Sequence, residues 1–368
     1  MISGTPGRRH GRFGRLNPKN FWKGKKVFVT GHTGFKGTWL NLLLQELGAK
    51  TYGYSLKPNT SPSFFKIISK YISFPGHFAD IRNLSELKLA LSKFKPDIIF
   101  HLAAQPLVRK SYYFPLETFS TNIIGTANIL EALRNQNSCK ALINITTDKC
   151  YLNFDLKNPF KEEDRLGGLD PYSASKASSE ILTQAYYHSY FKKKSMVGIA
   201  SARAGNIIGG GDWSEDRLIP DLIKSYQSNK TINIRNPHAT RPWQHVLDPL
   251  WGYLILAQNL YQKPKDFSGA WNFGPNHRSV RSVSWIVNKF NYKMNNLIKW
   301  RTKSDERYYE SSYLTLNSAK ARKYLKWKPK ISLADSLSSI ANWYLAYFSD
   351  KDIYKLSKKE ILNYLNQN

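Results

Sequence analysis

Tyr172 and Lys176 stand four residues apart in the segment DPYSASK, residues 170–176. The acceptor side chain of Asp170 followed by a proline is typical of a helix start, so Tyr172 and Lys176 share one helical face. A phenol with a pKa of about 10 is a poor base at neutral pH, but a neighbouring ammonium stabilises the phenolate. Such a pair can take a proton from an alcohol while hydride leaves the same carbon for a nicotinamide. Because the same spacing occurs on ordinary solvated helix faces, the pair indicates a site only together with a dinucleotide-binding element.

A second polar group follows the apolar run at residues 141–146. Thr147, Asp148 and Lys149 come directly after it, and ligands bind at the carboxyl ends of strands in an open α/β sheet. Thr147 can hydrogen bond a substrate hydroxyl, and Asp148 with Lys149 offers an acid and a base for a step beyond hydride transfer. The alternative is an ion pair in a polar loop.

A glycine-rich turn, GHTGFKG at residues 31–37, lies between a short β-branched run and an apolar-periodic stretch. Glycines there permit a tight turn, close approach of a pyrophosphate and close packing of helix on strand. The N–H groups of the following helix would face the phosphates. The order strand, turn, helix therefore favours a dinucleotide site over a plain connecting loop.

The end of the second predicted strand leaves the choice between NAD and NADP open. An acid that would bind the NAD ribose is absent, because Ser55, Leu56 and Lys57 occupy that region. Lys57 could instead meet a 2′-phosphate.

The elements that must position these residues alternate along the chain. We predict strands at 25–30, 51–55, 96–102 and 141–146, and helices at 38–47, 85–94 and 116–135. This order predicts an α/β fold with a Rossmann-type, doubly wound parallel sheet. Beyond Gly205 the pattern is mixed, which indicates a smaller α+β region interleaved with the first. The expected organisation is a basic, disordered leader at 1–20, an NAD-binding domain at 21–205, a substrate-binding region at 206–350 and a C-terminal tail at 351–368.

Composition limits the class of protein. The 368 residues carry a net charge of +29. Because 41% of them are hydrophobic and 14% are aromatic, the chain can form a core, which excludes general disorder. No apolar run is long enough to cross a membrane, and the two cysteines, Cys139 and Cys150, suit neither a disulfide scaffold nor a zinc site. We expect a cytoplasmic protein without metal or membrane association. The leader has no aromatic or helical pattern beside its basic residues, so nucleic-acid binding is not expected either.

The sequence resembles the extended short-chain dehydrogenase/reductase family, and within it the branch of CDP-glucose dehydratases, from about Phe21 to about Tyr344. The related dTDP-glucose dehydratases have Asp-Glu where this chain has Asp148-Lys149, so Lys149 favours the CDP branch. The matching segments are the glycine turn, HLAAQPLVR at 101–109, TDKCY at 147–151, LGG at 166–168, the YSASK helix, RAGN at 203–206, GGGDW at 209–213 and TRPWQHV at 240–246.

The resemblance implies a lyase that converts CDP-D-glucose to CDP-4-dehydro-6-deoxy-D-glucose and water while NAD is regenerated. Tyr172, helped by Thr147 and Lys176, would remove the C4 hydroxyl proton as hydride passes to NAD. Asp148 would protonate the departing C6 hydroxyl. Lys149 would remove the C5 proton, or only position a water or Asp148. Such products lead to deoxysugars of bacterial surface polysaccharide, such as lipopolysaccharide O-antigen.

The resemblance also implies binding contacts and a homodimer formed by helix pairing. The expected cofactor contacts are Gly31, Gly34, Phe35, Lys36, Gly37, Ser55, Asp80, Ile81, Leu102, Ala103, Ala104, Tyr172 and Lys176. The expected substrate contacts are Gln105, Asn206, Arg217, Arg235 and Arg241. Near the C-terminus, YES at 309–311 and YLTLN at 313–317 depart from the family pattern, which leaves Tyr309 as a substrate contact, and the nucleotide preference, open.

Two alternatives are weighed against this interpretation. A 4-epimerase or dTDP-type dehydratase would share the fold, but an epimerase has no use for an acid and a base acting at C5 and C6. A nucleotide-sensing protein that uses its charge on nucleic acid would not need the intact Tyr172 and Lys176.

Overall fold

A computed structural model describes residues 18–134, 136–154, 158–193, 197–303 and 313–367. Most of the predicted leader therefore lies outside the described residues. The strands are β1 Lys26–Thr30, β2 Lys50–Ser55, β3 Gly76–Phe78, β4 Ile98–His101, β5 Ala141–Ile145, β6 Gly198–Ala204, β7 Ile207–Ile208, β8 Ile232–Ile234, β9 Thr240–Pro242, β10 Gln244–His245, β11 Gly269–Phe273, β12 Val280–Ser282 and β13 Trp300–Thr302.

The helices surround these strands. They are α1 Pro18–Trp22, α2 Phe35–Glu46, α3 Phe64–Ile68, α4 Leu84–Phe94, α5 Val108–Tyr113, α6 Pro115–Phe119, α7 Gly125–Leu133, α8 Pro171–Tyr186, α9 Leu218–Ser228, α10 Leu247–Gln262, α11 Pro264–Phe267, α12 Val283–Lys293, α13 Leu333–Phe348 and α14 Ile353–Asn366. Short π-helical segments lie at Ser120–Ile124, Tyr187–Phe191 and Ala321–Leu325, and 3₁₀ turns at Asp148–Cys150 and His277–Ser279.

A seven-stranded parallel sheet forms the centre, in the order β11-β6-β5-β4-β1-β2-β3. The predicted Rossmann-type fold is confirmed. The order reverses between β1 and β4, and ligands bind at the carboxyl ends of the strands beside such a reversal.

Apart from the exposed edge strand β3, the sheet is largely buried on both faces, as expected of parallel strands covered by helices. Along β1, Val27 and Val29 pack into the layer that contains α2 and α10, while Phe28 packs into the layer that contains α4 and α7. Alternation along one strand thus joins both layers to the sheet.

The four strands predicted from the sequence are confirmed within two residues at either end. The helix predicted at 38–47 begins earlier, at Phe35, because Gly34 already has extended backbone geometry and acts as its N-cap. The helix predicted at 116–135 is not continuous. A π-helical segment at Ser120–Ile124 interrupts it and buries Asn122.

The second half of the chain is interleaved with the first. Strand β11 pairs with β6 and completes the central sheet, while the remaining strands form three two-stranded sheets, β7 with β10, β9 with β12, and β8 with β13. The domain limits at 205 and 350 stay a prediction.

The C-terminal segment differs from the expected tail. Helix α14 packs against α2, α3 and α13, and Ile353, Ile361 and Tyr364 are buried in the core. The Tyr364 hydroxyl donates a hydrogen bond of 3.0 Å to Oδ1 of the buried Asp248. The tail was not foreseen as part of the core because its partners are distant in sequence. Within the described residues, no helix combines the length and apolar character needed to span a membrane.

Candidate active site

A cavity of about 1180 Å³ opens at the carboxyl ends of β4, β5 and β6. It collects polar groups that are far apart in sequence, between the glycine turn and the second half of the chain. Among its lining residues are Phe35, Lys36, Leu102, Ala104, Thr147, Asp148, Lys149, Tyr172, Lys176, Asn206, Arg217, Arg235 and Arg241.

The glycine turn is closely packed after β1. Gly31 has φ +71, and a Cβ there would lie 2.8 Å from the backbone nitrogen of Ala103. A Cβ at Gly37 would lie 2.8 Å from the Cα of His32 and closer still to the carbonyl oxygen of Gly31. Gly34 caps α2 without a side chain, so the first N–H groups of the helix face the open turn. This geometry fits a dinucleotide pyrophosphate.

The Ser55 hydroxyl, at the end of β2, hydrogen bonds to residues of the glycine turn. The Ser55 hydroxyl lies 3.0 Å from Nδ1 of His32 and 3.0 Å from the Thr33 hydroxyl. Burial lowers the pKa of His32 to about 4, so its ring is neutral. Ser55 therefore stabilises the turn, and its direct contact with the cofactor stays a prediction.

The end of β4 is tied to β1 by Thr30. Its hydroxyl accepts hydrogen bonds of 3.0 Å from the N–H groups of Leu102 and Ala103, and lies 2.8 Å from Nδ1 of His101. These bonds fix the segment that faces Gly31.

Asp80 and Ile81 follow β3 at the edge of the sheet. Oδ2 of Asp80 accepts a hydrogen bond of 2.6 Å from Arg82, which holds the pKa of the carboxyl below its usual range. Ile81 is buried, and its carbonyl accepts a hydrogen bond of 3.0 Å from Asn128. The pair lies on the β2–β3 side, where the far end of a dinucleotide would reach.

Tyr172 and Lys176 share a buried face of α8. The helix begins at Pro171, where Asp170 accepts a hydrogen bond of 2.9 Å from the Ser173 N–H. Burial raises the pKa of Tyr172 to about 12, against the opposing effects of its hydrogen bond with Thr147 and the charge of Arg217. Burial lowers the pKa of Lys176 to about 8, and its Nζ lies 3.5 Å from the carbonyl oxygen of Ile145. The predicted pair thus stands at the end of β5.

Asp148 is a buried acid in the same cavity, only 3% exposed. Its Oδ1 accepts a hydrogen bond of 3.1 Å from the Thr147 hydroxyl, whereas Oδ2 has no hydrogen-bond partner among the described residues. Burial raises the pKa of this carboxyl, although Lys149 opposes the shift. A Cβ at Gly205 would lie 2.7 Å from Oδ2, so the space beside the acid requires a glycine. The arrangement suits a proton donor.

Lys36 extends from the glycine turn into the catalytic part of the cavity. Burial lowers its pKa to about 7, and the charges of Lys176 and Arg217 act in the same direction. Asp148 and Asp212 oppose the shift. The sequence assigned Lys36 only to a pyrophosphate, because the closeness of Lys176 follows from tertiary structure.

A buried ion pair behind the cavity was missed from the sequence. Arg203 of β6 and Glu180 of α8 are fully buried, with Nη2 and Oε2 2.9 Å apart. Glu180 also accepts a hydrogen bond of 2.5 Å from Thr146, next to Thr147. The signal available in the sequence was the position of Glu180, four residues after Lys176 on the same helix.

The expected substrate contacts divide into two groups. Asn206, Arg217, Arg235 and Arg241 line the cavity, and their contacts with the substrate stay a prediction. Gln105 does not belong to the cavity wall. Its Nε2 donates to Leu107 O at 3.0 Å and Thr118 Oγ1 at 2.9 Å, and its Oε1 accepts from Leu107 N at 2.6 Å. The expectation for Gln105 is corrected, because its amide stabilises a loop.

The cavity wall also contains residues for which the sequence predicted no role. Arg109 and Asp216 line the cavity but were not assigned a role from the sequence. Leu314, from the divergent C-terminal segment, lines it as well. Tyr309 lies outside the described residues.

Comparisons with known proteins agree with this geometry. A model of the GDP-mannose 4,6 dehydratase family matches residues 28–340. The CDP-glucose 4,6-dehydratase of Salmonella typhimurium is 45% identical over 352 residues, which cover 95% of this chain and 98% of that protein. An epimerase structure from Methanothermobacter thermautotrophicus superimposes with a TM-score of 0.80 at 23% identity, covering 90% of this chain and 95% of that one. The dTDP-glucose 4,6-dehydratase of Bacillus anthracis, solved in complex with NAD, has a TM-score of 0.71 at 21% identity, with 89% and 98% covered.

Proposed function

Because the chain belongs to the GDP-mannose 4,6 dehydratase family, we propose that it is a nucleotide-sugar 4,6-dehydratase that converts CDP-D-glucose to CDP-4-dehydro-6-deoxy-D-glucose. The choice of nucleotide is supported by the similarity to the CDP-glucose 4,6-dehydratase of Salmonella typhimurium over nearly the full length of both chains. Lys149, beside Asp148, supports the same branch.

The observation that carries the proposal is the buried acid beside Tyr172. Asp148 has a raised pKa and an oxygen that no described group hydrogen bonds. An epimerase moves hydride at C4 and requires no proton donor at C6. A dehydratase requires one, since the C6 hydroxyl must leave as water.

NAD is the cofactor of this proposal. The glycine turn, where a Cβ at Gly31 or Gly37 would collide with backbone, and the open first turn of α2 suit its pyrophosphate. The related dTDP-glucose 4,6-dehydratase of Bacillus anthracis was solved with NAD. When bound, NAD supplies a hydride acceptor for C4 and a hydride donor for C6.

The residues of this chain move the protons. Tyr172 removes the C4 hydroxyl proton, with Thr147 and Arg217 favouring its ionised form. The C4 ketone then acidifies the C5 proton, which Lys149 removes as the neutral amine and holds as an ammonium, and Asp148 protonates the C6 hydroxyl as it leaves. Lys149 returns a proton to C5 after C6 has been reduced. Tyr172 ends with one proton gained and Asp148 with one lost, so exchange with solvent restores both.

We further propose that the protein forms a homodimer through the helices around α8. Exposed apolar side chains cover neighbouring helices there, with Leu116 81%, Phe114 55%, Ile124 51% and Ile181 58% exposed. Exposed apolar side chains on neighbouring helices favour association. A cytoplasmic location also belongs to the proposal, and the free thiols of Cys139 and Cys150 support a reducing compartment.

The test is to incubate the purified protein with NAD⁺ and, separately, CDP-, dTDP-, UDP- and GDP-glucose, and to follow the nucleotide sugar by mass spectrometry. We expect loss of one water from CDP-glucose alone. An unchanged mass with every nucleotide sugar would contradict the proposal. An isomer of unchanged mass would point to 4-epimerisation, and water loss from another nucleotide sugar would correct the substrate.

A further inference from the structure

A carboxylate bridges two arginines in the wall of the cavity. Oδ1 of Asp216 lies 3.3 Å from Nη1 of Arg109 and 3.5 Å from Nη1 of Arg235. The three side chains come from α5, from the segment before α9 and from the segment after β8. Each side chain is partly exposed, at 24%, 38% and 31% for Arg109, Asp216 and Arg235. A ligand in the cavity can therefore reach all three.

The position of Asp216 is special in two respects. Its φ is +55, a region that L residues rarely adopt and that Asp and Asn tolerate better than most. It also directly precedes Arg217, the N-cap of the 11-residue helix α9, whose side chain makes no capping hydrogen bond. The N-terminus of such a helix favours negative charge. Asp216 thus places an anion where a phosphate would be stabilised.

The surrounding positive charges attract a ligand with several negative charges more strongly than they attract the single carboxylate of Asp216. The cavity wall also contains Arg217, Lys224, Arg241 and Lys303, and Arg217 is already paired with Asp212 at 3.0 Å. A guanidinium binds the oxygens of a phosphate as it binds those of a carboxylate, and a diphosphate brings more charge and more acceptors.

We propose that Asp216 occupies, in the free protein, the place of one phosphate of the substrate diphosphate, and that Arg109 and Arg235 exchange it for that phosphate on binding. This inference rests on the proposed function in that the ligand is a nucleoside diphosphate sugar. Arg109 is then a diphosphate-binding residue. Asp216 disfavours the binding of ligands without a diphosphate, because only a more highly charged anion displaces its carboxylate from the two arginines.

The test measures the affinity of the full chain for CDP and for cytidine by titration calorimetry. Asp216→Asn keeps the side-chain shape and tolerates the positive φ, and we expect it to tighten CDP binding about two- to tenfold, as for the loss of weak, partly exposed ion pairs that compete with the ligand. Asp216→Gly removes the carboxylate at a φ that glycine adopts freely, and should also tighten binding. Cytidine binding should not tighten in either variant.

Arg109→Gln should weaken CDP binding, and in Arg109→Gln combined with Asp216→Asn the gain from the second change should shrink, as coupling between the two residues requires. Asp350→Asn is the matched control, since Asp350 has φ +52, is exposed and lies outside the cavity wall. It should leave CDP affinity unchanged.

Unchanged or weaker CDP binding in both Asp216 variants would overturn the inference, and so would equal tightening of cytidine. These measurements do not depend on turnover. Tighter CDP binding in a protein that fails to dehydrate CDP-glucose would contradict the proposed function and leave this inference standing. Active enzyme without the tightening would contradict the inference alone.

Discussion

At the scale of single residues, the site joins two groups whose environments raise their pKa values for the same reason. Tyr172 and Asp148 are both buried, and burial disfavours their charged forms. For the acid this is useful, because a raised pKa favours the protonated carboxyl, which can donate a proton. For the tyrosine it is a cost, which Thr147 and Arg217 partly offset. The proposed acid and the proposed base thus lie in one cavity.

Asp148→Asn should keep the shape of the side chain but remove the proton donor. We expect product formation to fall about 10²- to 10⁴-fold, the usual contribution of a positioned acid. Oxidation at C4 should persist, so reduced nicotinamide should accumulate and be visible by its absorbance. Asp266→Asn, at an exposed position in α11, is the control and should retain full activity. Normal product formation by Asp148→Asn would contradict the role of acid.

The same residue makes a prediction for stability. Because the folded-state pKa of Asp148 is raised, its neutral form stabilises the fold below the unfolded-state pKa of about 4, and this contribution is lost as pH rises through the folded-state value. Asp148→Asn should therefore be more stable than the parent at neutral pH. The difference should shrink toward pH 4 in urea unfolding. A difference that is independent of pH would argue against the raised pKa.

At the scale of elements, the site depends on how strands and helices end. Gly31 of the glycine turn lies against Leu102 and Ala103, directly after β4, and the Asp170 cap fixes the first turn of α8. The π-helical segment at Ser120–Ile124 buries Asn122, whose Nδ2 donates to the Ser175 hydroxyl at 2.8 Å. Element ends therefore position Tyr172 and the turn relative to each other.

An alanine substitution at Gly37 tests whether the close backbone contacts of the glycine turn are required for NAD binding. Gly37→Ala places a Cβ against His32 and the Gly31 carbonyl, so the turn must open and NAD affinity should fall at least about tenfold, the equivalent of about 1.4 kcal/mol. Gly198→Ala is the control, because its Cβ would lie 2.5 Å from the Leu260 side chain, at the end of β6 that is remote from the cavity, and it should leave NAD affinity unchanged. Calorimetric titration with NAD⁺ measures both. Equal losses would show that the contact at Gly37 does not decide binding.

The ion pair between α8 and β6 should be far more important for stability than exposed pairs. Glu180→Gln leaves the guanidinium of Arg203 buried without its full counter-charge, and we expect a loss of about 3–5 kcal/mol. Glu131→Gln, which breaks the solvent-screened pair with Arg134, should change the free energy of unfolding far less. Chemical unfolding of the two variants gives the comparison. Similar losses would mean that burial adds nothing to this pair.

At the scale of the whole molecule, the second half of the chain completes the first. Strand β11 adds the last strand to the central sheet, α14 packs on α2, and the arginines of the cavity come from both sides of residue 205. Binding and catalysis thus depend on contacts that span the whole chain.

The apolar surface around α8 predicts the oligomeric state. Leu116→Glu combined with Ile124→Glu places charges on this surface and should convert the dimer to a monomer in light scattering. Tyr292→Glu is the control, because Tyr292 is 68% exposed on α12, outside these helices. A parent protein that is monomeric, or a double variant that stays dimeric, would contradict the proposed interface.

Local patterns of the sequence were sufficient to predict the alternation of strands and helices, the glycine turn and the Tyr172–Lys176 pair. Apolar periodicity, glycine spacing and helix capping depend on neighbours within a few residues, so they can be predicted from the sequence. The resemblance added the roles of Asp148 and Lys149, which spacing alone left open.

Only the tertiary structure decided which of these groups meet. Lys36 lies near enough to Asp148 for their charges to interact, Gly205 leaves room for the acid, and Asp216 pairs with Arg109 and Arg235 because separate segments of the chain meet at one end of the sheet. The loop-stabilising role of Gln105 and the packing of α14 were likewise missed, since their partners are set by folding. Burial shifts protonation and charge pairing, and burial is a property of the assembled molecule, whereas periodicity belongs to the sequence.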